Sequence, residues 1–208
     1  MFENIIKNVH NRHPLIHCIT NYVSINDCAN IVLACGGAPI MAEDINEVSQ
    51  ITSICQGLDI NIGMLNDNKL SSMLKAGATA NELGIPVILD PVGAGSSDYR
   101  IKAVQNLMSN VQFGVIRGNV SEIKAIAAKQ GIHNIAAGVY ETMQKNKSAM
   151  GVEAGIADKI TDDNIKEMAD FINKLSQKTG AVIAVTGGID MVADENRVYA
   201  IRNGHKMI

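Results

Sequence analysis

The clearest structural signal in this chain is the stretch Ile85-Pro86-Val87-Ile88-Leu89-Asp90-Pro91-Val92-Gly93-Ala94-Gly95. Its first half is a short apolar run rich in branched residues, which is typical of a parallel strand buried on both faces. Pro91 keeps Asp90 extended, because the proline ring clashes with a helical residue before it. The sequence therefore predicts that Asp90 lies at the carboxyl end of a central strand.

The residues that follow this strand fit a site for phosphate and metal. Gly93 and Gly95 allow a tight turn and a close approach of the backbone to a ligand. Open α/β sheets bind ligands outside the carboxyl ends of their strands, and Mg²⁺ prefers oxygen ligands that it shares with substrate phosphates. We therefore expect Asp90 to lie at a magnesium and phosphate site, and a turn that only caps the strand is the alternative.

Short apolar runs alternate with segments of helical period on both sides of this stretch. Strands are predicted at 15–21, 38–41, 58–63, 113–119 and 181–186, with helices between them and a hairpin at 191–201. Asp44 and Thr161-Asp162-Asp163 are predicted helix caps. The segment 133–160 has weak periodicity, so we expect a mobile loop or a frayed helix there. The alternation predicts one α/β domain over 1–208, with a mostly parallel sheet covered on both sides.

Composition narrows the class of protein. The chain has 208 residues, of which 47% are hydrophobic and 19% charged, with a net charge of -3 and no basic clusters. This balance is typical of a soluble globular protein and argues against nucleic-acid binding. No apolar run approaches the roughly 18 residues that span a membrane, and no signal peptide is recognisable. The four cysteines form no CxxC pair. We expect a cytoplasmic protein with reduced thiols.

Polar or glycine residues follow four of the predicted strands. They are Thr20-Asn21, the Asp90–Gly95 turn, Arg117-Gly118-Asn119-Val120-Ser121-Glu122 and Thr186-Gly187-Gly188. Arg117 offers a bidentate fork for phosphate. Asn119 and Glu122 are three residues apart at a strand-to-helix junction, where both can face a metal-bound water. Alternatively, Asn119 or Ser121 caps the next helix while Glu122 stabilises its dipole, and the two interpretations are compatible.

Several motifs together resemble the hydroxyethylthiazole kinases of thiamine salvage. They cover nearly the whole chain in matching order: His17-Cys18-Ile19-Thr20-Asn21, Ala38-Pro39-Ile40-Met41, Asn61-Ile62-Gly63, Ala80-Asn81-Glu82, Asp90–Gly95, Arg117–Glu122 and Asn203-Gly204-His205. The resemblance implies a ribokinase-like three-layer α/β/α fold. It also implies transfer of the γ-phosphate of ATP to the alcohol of 4-methyl-5-(2-hydroxyethyl)thiazole, and a homotrimer with active sites between neighbouring subunits.

The resemblance also assigns roles to individual residues. Met41 matches a methionine that contacts the thiazole, and Asn21 matches a polar residue of the same pocket. The residues expected to bind ATP are Arg117, Thr186 and Asn119, and those expected near Mg²⁺ and phosphate are Asp90 and Glu122. Without the resemblance, Met41 would be interpreted as a core residue, although a soft thioether suits the face of a sulfur heterocycle.

The sequence departs from the family pattern at its C-terminal end. In the family, the segment after Asn-Gly-His continues into a Gly-Thr/Ala-Gly-Cys turn that forms an anion hole, and its cysteine takes the catalytic position. The present sequence stops at Ile208, before that turn, and its four cysteines lie elsewhere, so we assign no catalytic residue and expect poor turnover. The alternatives are another ribokinase-like enzyme that phosphorylates a different small alcohol, and a truncated relative without catalysis. Met41 and Asn21 favour the thiazole kinase over the former.

Overall fold

Helices and strands alternate along the chain in the computed structural model, which describes residues 2–129 and 159–202. The helices are α1 (Phe2–Arg12), α2 (Ile25–Ala34), α3 (Val48–Ile54), α4 (Asp67–Glu82), α5 (Asp98–Asn110), α6 (Val120–Lys129) and α7 (Ile165–Thr179). The strands are β1 (Leu15–Ile19), β2 (Ala38–Ile40), β3 (Gly57–Asn61), β4 (Val87–Asp90), β5 (Val115–Asn119), β6 (Val182–Thr186), β7 (Asp190–Ala193) and β8 (Val198–Ile201). Most of the weakly periodic segment and the Asn203-Gly204-His205 motif lie outside the described residues.

The chain divides into two compact units. The first takes the residues up to Asp90 together with Leu107–Gln112, and the second takes Pro91–Asn106 and the residues from Phe113 onward. The boundary falls directly after Asp90, between β4 and the glycine-rich turn that follows it. The single domain over 1–208 stays a prediction.

The first unit contains four parallel strands in the order β2-β1-β3-β4. Strand register places Asn61 of β3 beside Asp90 of β4. Leu58, Ile60 and Leu89 are fully buried between the strands and the helices, and Met73 of α4 is equally buried. Because all four strands run in the same direction, their polar carboxyl ends meet at one edge of this part of the sheet.

Strand β4 confirms one prediction and corrects another. Asp90 is its last residue, as the proline after it predicted. Val87 and Leu89 are buried, but Ile88 is 41% exposed, so the prediction that this strand is buried on both faces is wrong. Successive strand residues point to opposite faces, and an apolar run alone does not show whether both faces are covered.

The second unit pairs β5 with β6 in parallel and continues antiparallel through β7 and β8. The predicted terminal hairpin is therefore confirmed. Helix α7 buries Phe171, Ile172 and Leu175 at helical spacing against this unit. It ends at Gly180, whose left-handed φ of 70° suits the residue after a helix.

Two predicted helix caps are wrong. Helix α3 begins at Val48, and the Asp44 carboxylate instead accepts a hydrogen bond of 2.8 Å from the backbone N–H of Asn46. Helix α7 begins at Ile165, and Asn164 accepts a bond of 2.8 Å from the N–H of Thr161. Asp and Asn side chains satisfy nearby backbone donors in turns as readily as at helix starts, so a capping pattern alone leaves the first helical residue uncertain.

The predicted α/β class with mostly parallel strands is confirmed in the part of the chain that the structure describes. None of the helices in that part combines the length and the apolar character needed to cross a membrane.

Candidate functional site

The first unit places three polar side chains in a row at the carboxyl ends of β1, β3 and β4. Asn21 lies just beyond β1 and donates from Nδ2 to Oδ1 of Asn61, over 3.3 Å. Asn61 in turn donates from Nδ2 to Oδ2 of Asp90, over 3.0 Å. The predicted thiazole residue Asn21 and the predicted magnesium residue Asp90 are thus joined through Asn61, for which the sequence predicts no role in the site.

The orientation of each amide in this row is set by nearby N–H and hydroxyl donors. Oδ1 of Asn21 accepts from the N–H and the hydroxyl of Ser24, each at 3.0 Å, while Oδ1 of Asn61 accepts from the N–H of Gly63 at 2.8 Å. A Cβ at Gly63 would lie 2.9 Å from Oδ1 of Asn61 and 3.1 Å from Nδ2 of Asn21. Gly63 is therefore the residue that lets the loop close over the two amides.

Met41 lies directly after β2 and is half-buried. Ala42, the residue after Met41, is held in place by the buried imidazole of His17, whose Nε2 donates to the Ala42 carbonyl over 2.7 Å. Nδ1 of the same ring accepts from the Thr52 hydroxyl over 2.8 Å. A carbonyl only accepts hydrogen bonds, so Nε2 carries the proton. Burial lowers the pKa of His17, although the hydrogen bond to the Ala42 carbonyl and the charge of Glu47 act in the opposite direction. The lowered pKa favours a neutral ring.

The second unit contains a capping box at the junction of β5 and α6. Oδ1 of Asn119 accepts from the N–H of Glu122 at 2.9 Å, and Oε2 of Glu122 accepts from the N–H of Asn119 at 2.8 Å. Oε1 of Glu122 also accepts from the N–H of Gly93 at 2.9 Å. The buried Glu122 carboxylate therefore holds the glycine-rich turn against the start of α6. Of the two compatible interpretations, this geometry supports the helix cap, and the metal role of Glu122 stays a prediction.

Two glycines make this junction possible. Gly93 has a φ of 66°, a left-handed conformation that side chains other than glycine rarely adopt. A Cβ at Gly118 would lie 2.9 Å from Oε2 of Glu122, so only glycine leaves room for the carboxylate. Close packing against Glu122 therefore explains the glycine in the middle of the Arg117-Gly118-Asn119 motif.

The three predicted ATP-binding residues share one face of β5 and β6. Arg117 and Asn119 are two residues apart on β5, and Asn119 is the register partner of Thr186 on β6. Side chains two apart on a strand point to the same face, as do those of paired residues on neighbouring strands. The Arg117 side chain is exposed, and the Thr186 hydroxyl lies 3.4 Å from the carbonyl of Gly118, to which it donates. This row offers the guanidinium of Arg117 and the amide of Asn119 to an anionic ligand, and the Thr186 hydroxyl would donate to such a ligand only after turning away from the Gly118 carbonyl.

The structure thus brings the predicted residues together in two groups. Asn21 and Asp90 are linked in the first unit, where Met41 also lies, and Arg117, Asn119, Glu122 and Thr186 form the second group. A common cleft for both groups stays a prediction. Asn61 and His17 both belong to motifs on which the family resemblance rests. Each is a polar residue in a predicted strand, and this is the signal that could have identified them as part of the site.

Sequence and structure comparisons agree on the family. A model of the family described as "HK: Hydroxyethylthiazole kinase family" matches residues 6–208. The chain is 52% identical over 205 residues to a protein named hydroxyethylthiazole kinase from Clostridium acetobutylicum, covering 99% of this chain and 69% of that relative. A solved structure of hydroxyethylthiazole kinase from Pyrococcus horikoshii OT3 superposes with a TM-score of 0.79 at 31% identity, covering 98% of this chain and 67% of that one.

A more distant structure supports the fold alone. Phosphomethylpyrimidine kinase from Clostridium difficile 630 superposes with a TM-score of 0.58 at 11% identity, covering 91% of this chain and 85% of that one. The fold is α/β and ribokinase-like. Given the family match over residues 6–208, the chain belongs to the hydroxyethylthiazole kinase family.

Proposed function

We propose that this chain transfers the γ-phosphate of ATP to the hydroxyl group of 4-methyl-5-(2-hydroxyethyl)thiazole, a step of thiamine salvage. Membership of the family is the observation that carries the proposal. The polar rows at the carboxyl ends of the strands support it, because ligands of open α/β sheets bind at that edge. The chain is thus a kinase that uses ATP as co-substrate.

ATP binding is assigned to the row on β5 and β6. Phosphoryl transfer asks the protein mainly for positioning and for neutralisation of charge. Arg117 is exposed and carries the fork that binds two phosphate oxygens at once, while Asn119 and Thr186 add neutral hydrogen-bonding groups on the same face. The glycine-rich turn, held by Glu122, is a second place where backbone groups can approach phosphate.

Asp90 and Glu122 are the residues that would hold Mg²⁺. Mg²⁺ in such sites takes few protein carboxylates and shares its other positions among water and phosphate oxygens, and when bound it offsets the negative charge of the triphosphate. Asp90 fits this role, since it is a carboxylate at a strand end with Asn61 donating to one of its oxygens. Glu122 fits less directly, because each of its oxygens already accepts from a backbone N–H. Asp90 and Glu122 are therefore the carboxylates that would hold the ion, and Asp90 is the one of the two that fits this role more directly.

The thiazole is assigned to Met41 and Asn21. Met41 is only half-buried, so its thioether is available to a flat sulfur heterocycle. Asn21 lies in the hydrogen-bonded row that ends at Asp90, which supports a site where the alcohol approaches the phosphate.

We further propose a homotrimer with active sites between neighbouring subunits. Two features of the first unit support this assembly. None of the ten residues of α2 is buried by the described part of the chain, although the helix is rich in apolar side chains. Val23, between Asn21 and α2, is 94% exposed. A neighbouring subunit would cover this apolar surface beside the thiazole residues. The cytoplasmic location stays a prediction.

The activity is tested with purified protein, ATP, Mg²⁺ and the thiazole alcohol, with the phosphorylated product followed by mass spectrometry. We expect a thiazole monophosphate and ADP in equal amounts, and little product with small alcohols that lack the thiazole. Arg117→Ala should raise KM for ATP by about tenfold or more, since hydrogen bonds to charged groups are worth that much, and leave thiazole binding unchanged.

Arg117→Lys is the matched control. It keeps the charge but loses the bidentate fork, so its KM for ATP should lie between those of the wild type and Arg117→Ala. Phosphorylation of another alcohol in preference to the thiazole would contradict the proposed function, and equal losses of ATP and thiazole binding in Arg117→Ala would contradict the assignment of Arg117.

A further inference from the structure

Lys69 is a charged residue in a place where lysine is rare. It lies in the first turns of α4, and only 4% of it is exposed. Burial of an ammonium group is costly unless the charge is paired and its donors are satisfied. None of the proposed ATP, Mg²⁺ and thiazole contacts involves this side chain, so its burial has another physical cause.

The Lys69 ammonium has three partners from two other segments of the first unit. Its Nζ lies 2.8 Å from Oε2 of Glu43, donates to the carbonyl of Thr20, and lies 4.6 Å from the centroid of the Tyr22 ring. The Tyr22 hydroxyl donates to the other carboxylate oxygen of Glu43, which closes the group. We call Lys69, Glu43, Tyr22 and the Thr20 carbonyl the Lys69 cluster.

The Lys69 cluster keeps Glu43 ionised. Partial burial raises the pKa of the Glu43 carboxyl, but hydrogen bonds from Lys69 and Tyr22, with the charge of Lys69, outweigh burial and lower that pKa overall. The same carboxylate raises the pKa of the Tyr22 hydroxyl, first through the hydrogen bond and then through its charge. Near neutral pH the cluster therefore contains one cation and one anion, with the tyrosine as a neutral donor.

The two segments that meet in the cluster are those that carry the proposed thiazole residues. Thr20 and Tyr22 flank Asn21, and Glu43 is two residues after Met41. Between Met41 and Glu43, the carbonyl of Ala42 accepts from His17 over 2.7 Å. The Thr20 carbonyl, just before Asn21, and the Glu43 carboxylate, two residues after Met41, thus both bind the Lys69 ammonium group.

We propose that Lys69 is a positioning residue, which holds the segments 20–22 and 41–43 together so that Asn21 and Met41 face the thiazole in a fixed arrangement. This role deepens the proposed function and rests on it for the identity of the ligand. Lys69 itself need not touch the substrate. A displacement of about 1 Å in a positioning group can cost roughly a hundredfold in rate, so loss of a cluster that sets two substrate contacts should slow phosphorylation of the thiazole.

The alternative is that Lys69 only stabilises the fold. The variant Lys69→Met tests the two roles, because methionine has a similar length to lysine but carries no charge. Removal of Lys69 alone leaves the Glu43 carboxylate, whose side chain is 39% exposed, without its cation. The double variant Lys69→Met/Glu43→Gln therefore removes both charges, and it separates the loss of positioning from the loss of stability.

The experiment compares the wild type, Lys69→Met, the double variant and a control, Lys75→Met. Lys75 is on the same helix and donates from Nζ to the carbonyl of Ile45 over 2.8 Å, so it is a matched lysine outside the cluster. Hydrogen–deuterium exchange is measured for peptides that cover 20–24 and 41–44, and binding of the thiazole alcohol and of ATP is measured by calorimetry.

In Lys69→Met and in the double variant, we expect faster exchange in both peptides and thiazole binding weaker by about 10- to 100-fold, with ATP binding within about twofold of the wild type. Lys75→Met should leave exchange at 20–24 and thiazole binding unchanged. If Lys69→Met does not fold, the double variant, which removes both charges together, gives the comparison.

Exchange at 20–24 and 41–44 that equals the wild type in all cluster variants would overturn the positioning role. So would equal losses of thiazole and ATP binding in the double variant. Failure of the wild-type protein to bind or phosphorylate the thiazole would overturn the proposed function instead, and the exchange comparison, which needs no ligand, would still decide whether Lys69 holds the two segments together.

Discussion

At the residue scale, the partners of a side chain decide between roles that its chemistry alone leaves open. Glu122 is a carboxylate beside a glycine-rich turn, which by itself fits a metal ligand. In the structure its two oxygens accept from the N–H groups of Gly93 and Asn119. For Asn61 the partners instead reveal a role that its chemistry does not suggest, because this amide at a strand end connects Asn21 with Asp90.

Met41 is a residue whose two possible roles can be separated by measurement. If it contacts the thiazole, Met41→Ala should weaken thiazole binding by about tenfold and leave ATP binding unchanged, since the lost contact is worth about 1–2 kcal/mol. Its stability loss should be small because the residue is half-buried. Thermal melts and calorimetric titration of each substrate make the comparison.

Met73 provides the matched control for this prediction. It is fully buried in α4, so Met73→Ala should lower the free energy of unfolding by about 2–5 kcal/mol without a specific effect on thiazole binding. If Met41→Ala instead melts as low as Met73→Ala and binds the thiazole normally, Met41 is a core residue and its assignment to the pocket is wrong.

At the scale of elements, the junction of β5 and α6 depends on a glycine. In Gly118→Ala, the new methyl group would lie 2.9 Å from Oε2 and 3.2 Å from Cβ of Glu122. The carboxylate would have to move away from the N–H groups of Asn119 and Gly93. We expect the free energy of unfolding to fall by about 1–3 kcal/mol, the usual cost of overpacking, and ATP binding to weaken. Urea unfolding measures the first effect and calorimetry the second.

Gly188→Ala is the control for the junction. A Cβ at Gly188 meets no atom within 4 Å, so the free energy of unfolding should change by no more than about 0.5 kcal/mol. Equal stability of the two alanine variants would mean that the Glu122 carboxylate moves aside without loss, and the capping box would then contribute little to the junction.

The existence of the elements was more predictable than their boundaries. Alternating apolar runs located every described strand, because burial against helices leaves a local pattern. The starts of α3 and α7 were wrong because Asp44 and Asn164 bond to neighbouring N–H groups in turns, a choice that depends on tertiary contacts. The exposure of Ile88 also depends on tertiary contacts, because the residues of β4 do not show whether another element covers the second face of the strand.

At the scale of the whole molecule, contacts between distant segments were beyond sequence patterns. Asn21, Asn61 and Asp90 meet because β1, β3 and β4 are neighbours, and strand order is set by the fold and not by any one motif. Lys69 is a further example, because a lysine in the first turns of a helix is normally interpreted as solvated. The resemblance to a family supplied the roles of Arg117, Thr186 and Met41, which periodicity alone does not distinguish from surface or core positions.

The exposed apolar side chains of α2 allow a test of the proposed assembly. Ile31 and Leu33 of α2 are 61% and 57% exposed, beside a loop that carries Asn21. If a neighbouring subunit covers α2, a lysine at Ile31 would bury an unpaired charge in the interface, which is strongly unfavourable. We expect the wild type to be a trimer by light scattering after gel filtration, and Ile31→Lys to dissociate toward monomers and lose thiazole phosphorylation.

Leu83→Lys is the control for this assembly, since Leu83 is similarly exposed, at 55%, but lies at the other end of α4 from the Lys69 cluster. It should remain trimeric and active, because a lysine near the C-terminal end of a helix is well tolerated. A monomeric wild type that phosphorylates the thiazole would contradict the proposal of shared active sites. A trimer that Ile31→Lys leaves intact would place the interface elsewhere than α2, and the exposed apolar residues of that helix would then need another partner.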